Sequence, residues 1–250
     1  MNTYRDIAYQ SVADPAQKLD IYLPEQDSFE VFLYFHGGGF VCGDKDDVSP
    51  IAKYLTSKGI AVVSANYRIG TDVRWPAYIH DAAAAVAWVM EHMKEYGLCK
   101  KFYVGGSSAG GYLSMMLCFD RRYLEPYGIL PTDIAGYVHD SGQPTAHFSV
   151  LQAKGIHPDR IIVDETAPLF YVGTDSKYAP MLILIADHDI ANRYEQTMLL
   201  VSTLKQFQMP EEDIVLKVMH GLHCEHTGAV NEQGESITGL LIEEFIRKRS

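Results

Sequence analysis

The sequence predicts an α/β protein built on a mostly parallel, doubly wound sheet with helices on both faces. Short apolar runs that suit buried strands alternate along the chain with longer segments of helical periodicity. The chain has 250 residues, of which 47% are hydrophobic, so it can bury a large core. We therefore expect a single domain over residues 1–250.

Two segments near the start, residues 3–10 and 18–23, alternate apolar and polar residues as half-buried antiparallel strands do. The remaining strand candidates are continuous apolar runs, which suit strands covered on both faces. They are residues 31–35, 60–65, 101–104, 134–138, 181–186 and 214–219. Helices are predicted over residues 49–58, 76–96, 109–124, 192–206 and 237–247.

One segment does not follow this alternation. Residues 143–179 are broken by prolines and glycines and are too long for a simple connection. Inserted segments of this kind often carry substrate contacts, so we predict a lid or pocket wall before the strand at 181–186. Asp140-Ser141-Gly142, just upstream, either lines a pocket or turns the chain, and we favour the turn.

Composition excludes several functions. The net charge is −11 without a clustered basic patch, so nucleic acid and anionic membranes are poor partners. No stretch reaches the ~18 apolar residues of a membrane span, and the first residues lack a signal-peptide core. The four cysteines show no paired spacing, which is typical of reduced thiols. We expect a cytoplasmic protein, and its association into a homo-oligomer is compatible with the sequence.

The segment around Ser108 has the pattern of a nucleophile elbow. An apolar strand leads into Gly106-Ser107-Ser108-Ala109-Gly110, and a helical run follows. A serine on so tight a turn needs small neighbours, which the glycines supply. The following helix directs its N-terminus and the Ala109 N–H toward the serine, where both favour an oxyanion. Ser108 is thus a candidate nucleophile.

A second glycine motif follows the strand at 31–35. Three consecutive glycines in His36-Gly37-Gly38-Gly39-Phe40 are costly in chain entropy, so a backbone function is expected. Glycine N–H groups can approach a reacting carbonyl without a side chain in the way, and so form an oxyanion hole. A plain glycine turn is the alternative. We favour the oxyanion hole because the motif precedes the serine elbow.

Carboxylates and histidines follow the last two strands. Asp187 and Asp189 come after the run 181–186, and His220 and His223 come after the run 214–219. The order serine, acid, histidine is the one that α/β-hydrolases use, and a histidine oriented by a buried carboxylate activates such a serine. His220, His223, His226 and Cys224 could also be taken for a metal site. Three-residue spacing aligns ligands only on a helix, however, and Gly221 favours a loop.

These motifs resemble the α/β-hydrolase fold and are similar to the bacterial carboxylesterases of the hormone-sensitive-lipase-like group. The resemblance covers residues 18–246 and rests on His36 to Phe40 and on Gly106 to Gly111. It implies Ser108 as nucleophile, Asp189 as acid and His223 as base, with oxyanion donors at Gly38, Gly39 and Ala109. Asp187 is the competing acid. That group usually carries an acidic residue where this chain has Ser107.

The sequence therefore predicts a serine carboxylester hydrolase that forms an acyl-enzyme and needs no metal or organic cofactor. Its partner would be a small-molecule ester with a short acyl group, acetyl to butyryl, such as an acylated sugar or a phenolic ester. An amidase or formamidase using the same triad is the main alternative. A non-catalytic binding module that retains the fold is the other.

Overall fold

In the computed structural model, residues 2–10 and 14–249 are described, and they form one eight-stranded sheet. The strands are β1 (Asn2–Ala8), β2 (Lys18–Leu23), β3 (Ser28–Phe35), β4 (Ile60–Ala65), β5 (Leu98–Ser107), β6 (Gly136–Asp140), β7 (Met181–His188) and β8 (Ile214–Leu222). Their order in the sheet is β1-β2-β4-β3-β5-β6-β7-β8. The pairs β1–β2 and β2–β4 are antiparallel, and all other pairs are parallel. The predicted mostly parallel sheet is confirmed.

Helices cover both faces of this sheet, as predicted. They are α1 (Ser49–Ser57), α2 (Ala77–His92), α3 (Ala109–Phe119), α4 (Phe148–Ala153), α5 (Arg193–Gln206), α6 (Glu225–Gly228) and α7 (Ile237–Arg247). One core layer joins the sheet to α2, α3 and α5, and a second joins it to α1 and α7. None of the helices in the described residues has the length and apolar character needed to cross a membrane.

The two core layers follow from the period-two geometry of strands. In β3, Val31 and Leu33 belong to the layer under α2 and α3, whereas Phe32 and Tyr34 belong to the layer under α1 and α7. Successive side chains of a strand point to opposite faces, so an apolar run fills both layers at once. This is why the interior strands read as continuous apolar runs in the sequence.

Several boundaries differ from the sequence predictions. The first strand ends at Ala8, and α3 ends at Phe119 and continues only as short 3-10 turns. The strand β2 is buried almost throughout and is not half-buried, because it lies between β1 and β4. Its polar residue Asp20 is accommodated by ion pairs of 3.1 Å with Arg5 and with Lys45.

The region after the last strand differs most from the prediction. The strand β8 extends to Leu222, so that His220 belongs to the strand itself. The four-residue helix α6 was not predicted, because so short a helix leaves no periodic pattern. The segment 143–179 contains α4 and a 3-10 turn at Pro168–Tyr171 and precedes β7, where the insertion was expected.

Candidate active site

Ser108 occupies a sharp turn between β5 and α3. Its φ of 55° lies in the left-handed region, which an ordinary side chain rarely adopts. The turn brings the start of α3 against the end of β3: a Cβ on Gly110 would lie 2.0 Å from the carbonyl oxygen of Phe35. Only glycine fits there, and the strained backbone of the half-buried Ser108 follows from that close approach.

The structure brings together the three residues that the sequence predicts as a triad. Oγ of Ser108 lies 2.8 Å from Nε2 of His223, and Nδ1 of His223 lies 2.6 Å from Oδ1 of Asp189. These side chains come from the elbow, from the segment after β8 and from the end of β7. Parallel strands deliver their carboxyl ends to one edge of the sheet, which explains why residues 34 and 115 positions apart meet.

Asp189 is held in a nearly closed environment. Its side chain is 1% exposed, and Oδ1 also accepts a hydrogen bond of 2.7 Å from the Ile190 N–H. Burial raises the pKa of Asp189, but the hydrogen bond and charge of His223 and the Ile190 N–H outweigh burial and hold the pKa below its usual value. Asp189 is therefore ionised at neutral pH and can stabilise a protonated His223.

Asp187 contacts different histidines. Its Oδ2 lies 2.8 Å from Nδ1 of His220, and its Oδ1 lies 2.7 Å from Nδ1 of His188. The Gly221 N–H and these two histidines hold the pKa of Asp187 well below its usual value. Asp187 thus organises the exposed end of β7 and β8, and the hydrogen bonds described for it go to His188, His220 and Gly221.

The three histidines of the spaced motif are separated in the fold. His220 contacts Asp187, His223 contacts Asp189, and His226 contacts Asp140. Within residues 2–10 and 14–249, one group of three metal-ligating side chains comes close together, namely Asp187, His188 and His220, with donor atoms within 4.8 Å. All three are exposed, and this group is not the set that the spacing indicated.

The glycine motif after β3 lies directly beside the nucleophile. A Cβ on Gly37 would be 3.3 Å from Cβ of Ser108. Gly38 has a φ of +107°, and a Cβ there would lie 1.9 Å from the carbonyl oxygen of Cys42, so the loop requires glycine. Ala109 opens α3, where the first N–H groups have no acceptor within the helix. Gly38 and Gly39 follow Gly37 in this loop, and Ala109 follows Ser108, so the three predicted oxyanion donors lie on the two backbone segments that meet at the nucleophile.

Residues of α4 contact this loop, and the sequence analysis did not identify them. The hydroxyl of Ser149 donates a hydrogen bond of 2.7 Å to the carbonyl oxygen of Gly39. A Cβ on Gly39 would lie 3.1 Å from Cζ of Phe148, so the ring packs on the loop. The only sequence signal was their place in the segment 143–179.

Asp140 was also missed, because a turn was favoured at that position. Asp140 ends β6 and is 2% exposed, and it accepts hydrogen bonds from Ser107, His226 and Thr227. Burial lowers the pKa of His226, but the hydrogen bond and charge of Asp140 raise it by more. The carboxylate is thus fully engaged beneath the elbow.

Two cavities flank the α4 side of the site. One, of about 320 Å³, is lined by Phe40, Val41, Trp75 and Tyr78 together with residues of α4. The other, of about 350 Å³, is lined by Phe148, Ile190 and Arg193 among others. Gln152 lines both, so α4 separates two spaces of the size that small ligands occupy.

The fold and this arrangement of residues define an α/β-hydrolase. Residues 19–150 match the BD-FAE family, which covers more than half of the chain. The chain belongs to that family.

Two relatives from Mycobacterium tuberculosis are named as esterases. Esterase LipI is 40% identical over 101 residues, which is 40% of this chain and 32% of LipI. "Probable carboxylic ester hydrolase LipM" is 33% identical over 272 aligned positions, which is 93% of this chain and 62% of LipM. The chain thus spans about a third of LipI and less than two thirds of LipM.

Solved structures share the fold at low identity. Esterase B of Lactobacillus rhamnosis, inhibited by a tributyrin phosphonate, has a TM-score of 0.81 at 19% identity, over 99% of this chain and 85% of that one. Esterase 2 of Thermogutta terrifontis with bound butyrate has a TM-score of 0.77 at 20% identity, over 98% and 94%. These similarities confirm the predicted α/β-hydrolase fold.

Proposed function

We propose that this protein is a serine carboxylester hydrolase acting on small esters with short acyl groups. The observation that carries the proposal is the continuous contact from Ser108 through His223 to Asp189, with distances of 2.8 Å and 2.6 Å. A serine hydroxyl is a poor nucleophile until a base removes its proton, and this geometry supplies the base and the carboxylate that orients it.

The chemistry follows from the contacts. Ser108 Oγ attacks the ester carbonyl carbon while His223 Nε2 accepts the hydroxyl proton, and Asp189 stabilises the imidazolium. The tetrahedral oxyanion binds the N–H groups of Gly38, Gly39 and Ala109. His223 then donates the proton to the departing alcohol and leaves an acyl-Ser108 ester. Water repeats the sequence with His223 as base and releases the carboxylic acid.

The preference for short acyl groups rests on the two cavities beside α4, the helix that contacts the glycine loop. The cavities beside α4 measure about 320 Å³ and 350 Å³, which suits a short acyl chain or one aromatic or sugar ring. The aromatic residues Phe40, Trp75 and Tyr78 in the first cavity favour a ring-bearing alcohol, such as that of a phenolic ester or an acylated sugar. The names of LipI and LipM support an ester substrate, and the butyrate bound to the Thermogutta esterase supports a short acyl group.

The experiment is a substrate panel on the purified protein. Nitrophenyl esters from acetate to dodecanoate are compared with nitroanilides and an N-formyl anilide that share their acyl groups. We expect kcat/KM to be highest between acetate and butyrate and at least about 10²-fold lower for every amide. The reason is that an amide is intrinsically less reactive toward a serine nucleophile than the matching ester, because its amine must be protonated as it departs.

Each other outcome selects an alternative. Equal kcat/KM on esters and amides would replace the esterase proposal with an amidase or formamidase on the same triad. Absence of turnover on both classes, together with saturable binding of the esters, would indicate a binding module on an α/β-hydrolase fold.

A further inference from the structure

A buried polar network lies beneath the elbow and is not used by the chemistry above. Oδ2 of Asp140 accepts hydrogen bonds of 2.6 Å from the Ser107 hydroxyl and 3.0 Å from the Thr227 hydroxyl. Oδ1 of Asp140 lies 2.8 Å from Nε2 of His226. The side chains of Asp140 and His226 are 2% and 3% exposed. A carboxylate so buried is stable only when its oxygens are paired, and three donors meet that need.

The network joins the two halves of the site. Ser107 is the residue before the nucleophile, and His226 and Thr227 belong to α6, three and four residues beyond His223. The backbone adds to this link, because the Ser108 N–H donates a hydrogen bond of 2.8 Å to the carbonyl oxygen of Asp140. Asp140 therefore contacts residues that lie close in sequence to both Ser108 and His223.

Further contacts make the network rigid. The hydroxyl of Tyr34, in β3, donates a hydrogen bond of 3.0 Å to the Ser107 hydroxyl. The hydroxyl of Thr238, in α7, donates one of 3.0 Å to the carbonyl oxygen of His226. These contacts connect β3, β5, β6, α6 and α7, so α6 cannot shift without breaking buried hydrogen bonds.

We infer that Asp140 is a positioning residue that sets the distance between Ser108 and His223 by fastening α6 to the nucleophile elbow. The inference rests on the proposed function and extends it to residues that do not touch the substrate. Proton transfer from Ser108 to His223 depends steeply on their separation, and a displacement of about 1 Å can cost about 10²-fold in rate. Loss of the network should thus lower kcat and leave substrate binding intact.

The chain offers a matched control for a role in stability alone. His139 precedes Asp140 on β6 and is 1% exposed, and its side chain points to the opposite face of the sheet. Like His226, His139 makes one side-chain hydrogen bond through a ring nitrogen: its Nδ1 lies 2.8 Å from the Ser114 hydroxyl. Deleting either imidazole therefore removes a buried ring with one hydrogen bond, but only the His226 ring joins α6 to Asp140.

The test compares His226→Ala, His226→Gln, Asp140→Asn and His139→Ala. Three quantities are measured: kcat and KM on nitrophenyl acetate, thermal stability, and the rate at which an alkyl phosphonate labels Ser108. We expect His226→Ala to lower kcat and the labelling rate about 10- to 100-fold, with KM within about threefold. The amide of His226→Gln can still donate to Asp140, so it should recover most of the loss. His139→Ala should lose similar thermal stability but keep kcat within about threefold.

Equal loss of kcat in His226→Ala and His139→Ala, or no recovery in His226→Gln, would overturn the inference and leave the network a stabilising one. If His226→Ala does not fold, Asp140→Asn against His139→Ala decides in the same way. Phosphonate labelling separates this inference from the proposed function. A wild-type protein that is labelled at Ser108 but hydrolyses no ester contradicts the function and still allows the labelling rates to be compared. A wild-type protein that does neither contradicts both.

Discussion

His223 Nδ1 lies 2.6 Å from Oδ1 of Asp189, whereas Asp187, only two residues earlier, contacts His220 at 2.8 Å. The two carboxylates also differ in burial, since the Asp189 side chain is 1% exposed and the Asp187 side chain is 36% exposed. A buried carboxylate orients the imidazole and stabilises its charged form, and an exposed one is screened by water. Asp189 alone is placed to act on His223.

The first prediction compares these two acids. Asp189→Asn should lower kcat on nitrophenyl acetate by about 10²- to 10⁴-fold, because His223 loses both its orientation and its charge partner. Asp187→Asn, the matched control, should stay within about fivefold of the wild type. The measurement is kcat of both folded variants. A larger loss in Asp187→Asn would assign the acid role to Asp187.

The second prediction concerns acid stability. The pKa of Asp189 is lowered in the folded protein, so its ionised form stabilises the fold above the unfolded pKa of about 3.9. That contribution disappears as the pH falls through the folded pKa. The difference in unfolding free energy between wild type and Asp189→Asn should therefore shrink between pH 6 and pH 3. Urea unfolding across that range measures it, and a pH-independent difference would argue against the ionised, paired Asp189.

The third prediction concerns the contact between α4 and the glycine loop. Ser149→Ala removes the 2.7 Å hydrogen bond to the carbonyl oxygen of Gly39, and the loop should hold its N–H groups less firmly. One such bond is worth about 1 kcal/mol, so kcat should fall about fivefold with KM unchanged. Ser149→Thr keeps the hydroxyl and should retain most of the activity. An unchanged kcat in Ser149→Ala would show that this contact of α4 does not help to hold the oxyanion N–H groups.

The fourth prediction tests whether the segment 143–179 is a pocket wall. Phe148 lines the 350 Å³ cavity and packs on Gly39. Phe148→Ala should enlarge the cavity and raise kcat/KM for octanoate relative to acetate by about tenfold, since longer chains gain apolar contact. Phe170→Ala is the control, because Phe170 belongs to the same segment but is 50% exposed. An equal change of this ratio in both variants would contradict the prediction that Phe148 belongs to the pocket wall.

Most of the fold could be predicted from the sequence because interior parallel strands are covered on both faces. The run from Met181 to Ala186 is apolar at every position. So short and continuous an apolar run is typical of a strand that is covered on both faces. The burial of β2 could not be predicted in this way, because ion pairs with Arg5 and with the buried Lys45 let Asp20 occupy an interior position. Its alternating sequence is therefore typical of a half-buried strand, whereas it lies inside the sheet between β1 and β4.

The site was partly predictable for a related reason. Elbow and glycine loop are local backbone devices, so their glycines are visible in a short stretch of sequence. No local sequence pattern of this kind indicates the role of Asp140. Its partners Ser107 and His226 lie 33 and 86 positions away, and only the assembled sheet brings them to one carboxylate. The choice between Asp187 and Asp189 needed the fold as well, because the two carboxylates are only two residues apart and yet one is exposed and the other is buried.

The central claim is that Ser108 is the nucleophile, and the most direct measurement is kcat/KM of Ser108→Ala on nitrophenyl acetate. Ser202→Ala, at an exposed serine of α5, serves as control. We predict a loss of at least about 10³-fold in Ser108→Ala, with unchanged thermal stability, and no loss in Ser202→Ala. Activity of Ser108→Ala within tenfold of the wild type would contradict the assignment of serine chemistry to this site.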